Sequence, residues 1–292
     1  MKKLNFIIKY GLALLLLSFY SCESWLNVTP SDRLSEEMLF NDREGFVKAL
    51  NGVYIELNTN ELYGRNLTAG ALDVMGQYYS VASSSHAFYN YGGLVYTGND
   101  EKALFDNMWQ KCYAVIACCN TIIEKCDENK AGLSPVWRGS IKGEALALRA
   151  MLHFDMLRLF GPLTSELDKE SIPYQTNSDQ TVTPLLSGSE VVGLILDDLK
   201  NAVGLLKDTD PYFVEEEFSD TDLNYRRFRM NYFAAKGLMA RVQLWGGDKE
   251  KAAATAKEVI AEGQAEGAEF FPFVTNSEAT SSNPDRVFYS EV

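Results

Sequence analysis

Tyr78, Tyr79, Tyr89 and Tyr91 crowd one short stretch of the chain, with Phe88 and Tyr96 close by and Asn90 between two of them. A phenol ring offers a flat apolar face and a hydroxyl at its edge. It can therefore cover the C–H side of a pyranose while the hydroxyl reaches a sugar oxygen. The surrounding segment, 58–99, is rich in Gly, Ser and Asn and keeps no helical period, so the rings are expected on a long loop. Loops of that length in compact proteins are usually functional. Tyr78, Tyr79, Tyr89 and Tyr91, with Asn90 as a polar partner, are the candidate ligand-contacting residues. The competing reading is that some of these rings only anchor the loop to its scaffold.

Other chemistry is thinly represented. The sequence holds no His-Glu-x-x-His, no Gly-x-Ser-x-Gly, no phosphate-cradling glycine loop and no Cys-x-x-Cys. Its two histidines are His86, in the aromatic segment, and His153, on a polar strip of a helical run. Glu144 and Asp155 share one helix strip and would be the pair to consider for glycoside hydrolysis. Arg149 and Arg158 on the same run make internal or inter-helix ion pairing the better reading, because a buried unpaired charge is costly. The acidic stretch Glu215-Glu216-Glu217 with Asp220 and Asp222 offers hard oxygen ligands. Its spacing does not fit the EF-hand pattern, and a solvated charge run is the plainer interpretation. Cys112, Cys119 and Cys126 recur every seven residues, which sets neighbours ~10 Å apart on one helix. Neither a disulfide nor a shared metal fits that distance, so packing is the expected role of these three and of Cys118 in the same helical stretch. No catalysis, metal or cofactor is expected.

The N-terminus has the form of a secretory signal over 1–21: Lys2-Lys3, an apolar run from Gly11 to Tyr20, then Ser21-Cys22. Cys22 is the expected lipid-attachment residue, whose acyl chains, palmitate among them, would hold the protein on a membrane without inserting it. Residues 22–41 then form a lipid-anchored tether. Residues 1–21 carry Lys2, Lys3 and Lys9 and no acid, so their removal takes the formal charge from −13 to −16. A surface of that sign repels phosphate backbones and argues against nucleic-acid binding.

The elements that must carry the rings are helical. From Ile141 to Leu159 two apolar faces run side by side: Ile141, Ala145, Leu148, Leu152, Met156 and Leu159 on one, Leu146, Ala147, Ala150, Phe154 and Leu157 on the other. A helix with two such faces is sandwiched between neighbours, as in a stacked helical array. Gly161-Pro162 ends it. Further helices are expected from Asp42 as N-cap, over about 101–126, and after Ser189 as N-cap. Residues 163–188 are expected to be irregular. Residues 228–263 form a helical hairpin of tetratricopeptide type, broken at Gly246-Gly247 and re-capped by Asp248, with Arg229, Lys236 and Gln243 as the polar strip of its first helix. The fold class is therefore mainly α: a tetratricopeptide-like helical-repeat scaffold with long irregular loops and few short strands, filling 42–292.

Several segments taken together resemble the SusD-like (RagB/SusD) outer-membrane nutrient-binding lipoproteins. They are Leu26-Asn27-Val28-Thr29-Pro30-Ser31-Asp32; Trp109, Tyr113 and Asn120; Lys142-Gly143-Glu144-Ala145 through Arg149-Ala150 to Leu159-Phe160-Gly161; Ile172-Pro173-Tyr174; Asp197-Asp198-Leu199 with Ala202; and Ala234-Ala235 through Ala240-Arg241 to Gly246 and Asp248. The resemblance implies a non-catalytic, surface-exposed protein at the cell outer membrane. It would capture an oligosaccharide or polysaccharide and pass it to a SusC-like TonB-dependent transporter. It also implies a C-terminal family region that this sequence lacks. The reading from a different class is a helical-repeat lipoprotein whose concave face holds a peptide or envelope protein.

Overall fold

The computed structural model describes residues 36–264 except 180, 215–216 and 220–224, together with Ser277 and Thr280. The signal segment, Cys22 and most of the tether lie outside the described residues. The described elements begin with α1 (Glu36–Leu39), α2 (Arg43–Leu57), α3 (Ala71–Met75), α4 (Tyr89–Gly92), α5 (Asn99–Glu128) and α6 (Pro135–Phe160). They continue with β1 (Glu170–Pro173), β2 (Leu185–Ser187), α7 (Gly188–Thr209), a 3₁₀ turn (Arg226–Phe228), α8 (Tyr232–Trp245) and α9 (Lys249–Gly263).

Most long helices start at a side-chain cap. Asp42 accepts from the Gly45 amide at 2.8 Å, Asn231 from Ala234 at 2.9 Å and Asp248 from Lys251 at 3.0 Å. Ser134 accepts from Trp137 at 3.3 Å ahead of Pro135, a proline whose missing N–H the first turn does not need. The cap of α7 falls at Ser187, not at Ser189. Only from Ser187 does a glutamate stand three residues on, and Glu190 closes the capping box on the Ser187 amide at 2.8 Å.

Helix α6 is sandwiched as its two apolar faces require. Every residue from Gly143 to Ala150 is buried, with α5 on one side and α7 on the other. Helix α2 closes on α5 and α6, and the α8–α9 hairpin stacks on α7. The α6–α7 contact is close enough to need a glycine. A Cβ on Gly143 would stand 2.8 Å from Leu206 Cγ and 3.3 Å from the Ala202 carbonyl. Cys112, Cys119 and Cys126 are buried in the α5 interface and Cys118 is exposed; all four are free thiols. The packing role expected of all four is observed for Cys112, Cys119 and Cys126 but not for Cys118, which the helical turn carries off the buried face beside Cys119.

Two further details differ from the sequence expectation. Residues 163–188 contain the antiparallel pair β1–β2, with Glu170 opposite Ser187 and Pro173 opposite Leu185. The first helix of the hairpin begins at Tyr232, because the 3₁₀ turn and the Asn231 cap intervene. Arg229 therefore precedes the helix and does not share a strip with Lys236 and Gln243. Those two do lock the hairpin: Lys236 Nζ donates to both Glu262 oxygens at 2.8 and 2.9 Å, and Thr255 Oγ1 donates to Gln243 Oε1 at 2.8 Å.

Candidate functional site

Segment 58–99 is a loop with two short helices, α3 and α4, and no strand. It carries its own small core of Ala71, Val74 and Tyr91, against which Val81, Phe88, Tyr96 and Phe105 pack. Tyr91 is the keystone. Its ring meets Phe88 at 5.8 Å and Phe105 at 6.0 Å, both edge-on, the favourable aromatic geometry. The contacts then pass from Phe105 to Phe160 at 6.3 Å and on to Trp109 at 5.1 Å and Tyr113 at 4.7 Å. A ladder of rings thus ties the loop to α5 and α6.

Of the expected ligand-contacting residues, Tyr78, Tyr79, Tyr89 and Asn90 are exposed and Tyr91 is buried. Tyr78 is 80% exposed, Tyr79 53% and Tyr89 42%. Tyr91 is 3% exposed and anchors the loop, so it is withdrawn from the ligand-facing set. The physical reason is its position one turn-face away from Tyr89 on α4, toward Val74 and Phe105. The Asn90 amide donates to Glu101 Oε1 at 2.7 Å, fastening α4 to the first turn of α5. Gln77 adopts a left-handed φ of 62° just before Tyr78, a conformation costing a non-glycine residue about 1–2 kcal/mol. Its side chain compensates by donating to the Gly92 and Val74 carbonyls at 3.0 and 3.3 Å. That turn directs Tyr78 and Tyr79 outward beside α4. A cleft of about 460 Å³ opens here, lined by Tyr79, Ser80, Val81, Ser83, His86 and Phe88 among others. His86 Nδ1 accepts from the Phe88 amide at 3.1 Å, so this histidine shapes the cleft wall.

The carboxylates considered for hydrolysis are parted. Glu144 and Asp155 are eleven residues apart on α6, about 16 Å along its axis, and each is spent on a different partner. Asp155 accepts from Tyr63 Oη at 2.6 Å and from Arg158 at 3.2 Å. Glu144 accepts from Arg226 at 2.5 Å, from Arg229 at 2.8 Å and from the Tyr54 hydroxyl. Burial alone would raise the Glu144 carboxyl, but Arg226 and Arg229 overcome it and hold it below the usual range. Arg226 also grips Asp210 through two bonds of 3.0 and 2.5 Å. Its guanidinium thus fills the space between Glu144 and Asp210, where a glycosidic oxygen would have to sit.

Arg226 and Tyr54 were not singled out by sequence reasoning. Arg226 lies in the run Tyr225-Arg226-Arg227-Phe228-Arg229, which has the look of a solvated loop, and Tyr54 reads as one more apolar helix position. The available signal was a buried-strip glutamate, Glu144, with no cation placed beside it on its own helix face. Of the acidic stretch, Glu217 is described: its carbonyl accepts from Trp137 Nε1 at 3.2 Å. Its neighbours Glu215, Glu216, Asp220 and Asp222 lie outside the described residues. No cluster of three potential metal ligands occurs among the described residues.

His153 has a structural post. Its Nδ1–H donates to the Arg149 carbonyl at 3.0 Å, and Nε2 accepts from the Gln175 amide at 3.0 Å. Its ring stacks on Tyr174 at 3.9 Å. Burial pushes its pKa down to about 3, so the ring is neutral.

A stack of helices bearing a pinned aromatic loop defines a helical-repeat scaffold that holds exposed rings in place. The chain belongs to the SusD-like family: residues 24–244 match the family described as starch-binding and associating with the outer membrane. Among curated relatives, a SusD-like protein, P2, of Formosa agariphila is 25% identical over 265 residues, covering 88% of this chain and 46% of the relative. A SusD-like protein of Bacteroides ovatus is 30% identical over 146 residues, covering 49% of this chain and 23% of the relative. The fold resembles a SusD-like carbohydrate-binding protein from Bacteroides vulgatus, with a TM-score of 0.63 and 23% identity over 82% of this chain and 47% of that one. A laminarin-binding SusD-like protein superposes with a TM-score of 0.56 at 18% identity, covering 75% and 43% of the two chains. The chain spans less than half the length of these relatives.

Proposed function

We propose that this protein is a non-catalytic, cell-surface glycan-binding lipoprotein that captures oligosaccharide or polysaccharide and hands it to a SusC-like TonB-dependent outer-membrane transporter. The observation that carries the reading is the pairing of exposed and anchored rings in one loop. Tyr78, Tyr79 and Tyr89 face solvent beside a cleft, while Tyr91 roots the same segment in the helical body. A sugar gains most from rings that do not have to be ordered on binding, because ordering an interface side chain costs about 0.5–1.5 kcal/mol. Acylation of Cys22 would supply the membrane attachment. The consumed state of Glu144, Asp155 and Asp210 supports a binding role over hydrolysis.

Affinity electrophoresis through gels containing starch, laminarin or xylan tests the reading. Retardation of the chain by one of them, abolished by Tyr79→Ala with Tyr89→Ala and with circular dichroism unchanged, is the expected result. Retardation unaltered by both substitutions would take the loop out of the site.

A further inference from the structure

A second cleft, of about 530 Å³, opens between α2, α6 and the turn at 225–229. It is separate from the aromatic loop. Ile141 lines it, while Phe160 meets the loop's rings at the other end of α6, about 28 Å away at ~1.5 Å per residue. Its volume lies within the ~300–1,000 Å³ of ordinary small-molecule sites.

The floor of the cleft is polar and fixed. Arg229 donates to Glu144 and lies over the Tyr54 ring at 4.6 Å. It also donates to Asn51 Oδ1 at 2.6 Å, which holds the Asn51 side chain while leaving its NH₂ group unspent among the described residues. Ser140 is buried in α6 and lines the cleft, yet its hydroxyl makes no hydrogen bond among the described residues. That hydroxyl is not shut away: among the described residues only Ser171 Oγ is both buried and without a partner, so Ser140 Oγ opens to the cleft, where a ligand or water can complete it. The charges beneath cancel: Glu144 and Asp210 oppose Arg226 and Arg229. Such a floor recruits neither an anion nor a cation, and it suits a neutral ligand rich in hydroxyls.

The rim is aromatic. Tyr225 and Phe228 are 62% and 68% exposed and stand three residues apart around the 3₁₀ turn, a spacing at which side chains eclipse on one side. Arg227 covers one face of Phe228 at 4.9 Å. Arg226, between the two rings in sequence, is clamped by Asp210 and Glu144, so the rings sit on a rigid mount.

We infer that this cleft is a second saccharide site, in which Tyr225 and Phe228 cover a pyranose while Asn51, Ser140 and Arg229 meet its hydroxyls. The choice of a sugar rests on the glycan-binding reading above; the neutrality and the spare hydrogen-bonding groups belong to the cleft itself. Isothermal titration of the chain with maltoheptaose, laminariheptaose, xylohexaose and mannohexaose tests it. Two equivalents of the bound oligosaccharide are expected for the native chain. One is expected for Tyr225→Ala with Phe228→Ala, whose exposed side chains leave the fold intact, and one for Tyr79→Ala with Tyr89→Ala. Asn51→Ala lowers the affinity of the cleft's equivalent about 5-fold. A single equivalent that only the loop variant removes would overturn the second site and leave the glycan-binding reading standing. No heat with any of the four sugars would remove both.

Discussion

Arg149 on α6 and Asp198 on α7 meet through two parallel hydrogen bonds of 2.7 Å each, Nε to Oδ2 and Nη2 to Oδ1, deep inside the helical stack. The remaining valences are filled. Tyr174 Oη donates to Asp198 Oδ2 at 2.6 Å, and Arg149 Nη1 donates to Asn120 Oδ1 at 2.8 Å. Asn120 in turn donates to the Asn177 carbonyl at 2.8 Å. One guanidinium therefore joins α5, α6, α7 and the segment that follows β1. The family-like motifs at Arg149, Asn120, Tyr174 and Asp198, scattered along the sequence, are parts of a single network.

Breaking that pair on one side strands a buried charge. Arg149→Met is expected to cost about 3–5 kcal/mol in urea unfolding. Combining it with Asp198→Leu is expected to recover a large part of the loss, because no charge is then left unpaired. Equal losses in the single and double variants would show that packing, not charge, sets the cost.

His153 sets a pH dependence with a definite sign. Burial depresses its folded pKa to about 3, below the 6.5 of an unconstrained imidazole. Below pH 6.5 the unfolded chain takes up a proton that the folded chain refuses. Stability is therefore present in full above that pH and declines by about 1.4 kcal/mol per unit as pH falls toward 3. His153→Gln keeps an acceptor for the Gln175 amide and removes the titration. Its unfolding midpoint is expected to change less than that of the native chain between pH 7 and 5, above most carboxylate titrations.

Tyr91 separates anchoring from ligand contact. Tyr91→Phe retains the ring and is expected to be nearly silent, since the hydroxyl makes only a 3.5 Å contact with the Asp100 carbonyl. Tyr91→Ala removes the centre of the loop's core, a truncation of the kind that costs about 3–5 kcal/mol. Its signature is fast amide exchange and protease cleavage across 71–96, with α5 and α6 still protected and glycan binding weakened. Unchanged exchange in that span would mean the loop is held by something else.

Thiol labelling tests the α5 packing. In a Cys22→Ala chain, Ellman's reagent is expected to modify Cys118 alone under native conditions. Burial pushes the Cys126 thiol up to about 12 and shields Cys112 and Cys119 further still. Rapid reaction of more than one thiol would contradict the buried interface.

The helical body was legible because its signals are local or periodic. The two-faced pattern of α6, the caps at Asp42 and Asp248 and the stop at Gly161 each depend on residues within a turn or two of one another. Even the slip from Ser189 to Ser187 was decided locally, by the distance to Glu190. The site was less legible because its roles are assigned by contacts across the chain. Nothing near Tyr91 in sequence separates it from Tyr89. Phe105 and Val74 do, and they come together only in the fold. The partnership of Glu144 with Arg226 likewise spans 82 residues, beyond any spacing rule. β1 and β2 are too short for alternation to rise above noise.

The ladder of rings from Tyr91 through Phe105 and Phe160 to Trp109 makes the loop a dependant of the finished body. While α5 and α6 are still undocked, the loop has no seat and its outward tyrosines have no common orientation. On the proposed function, the ability to capture a glycan would then arrive last, and retention of a glycan would report that the interior had assembled correctly.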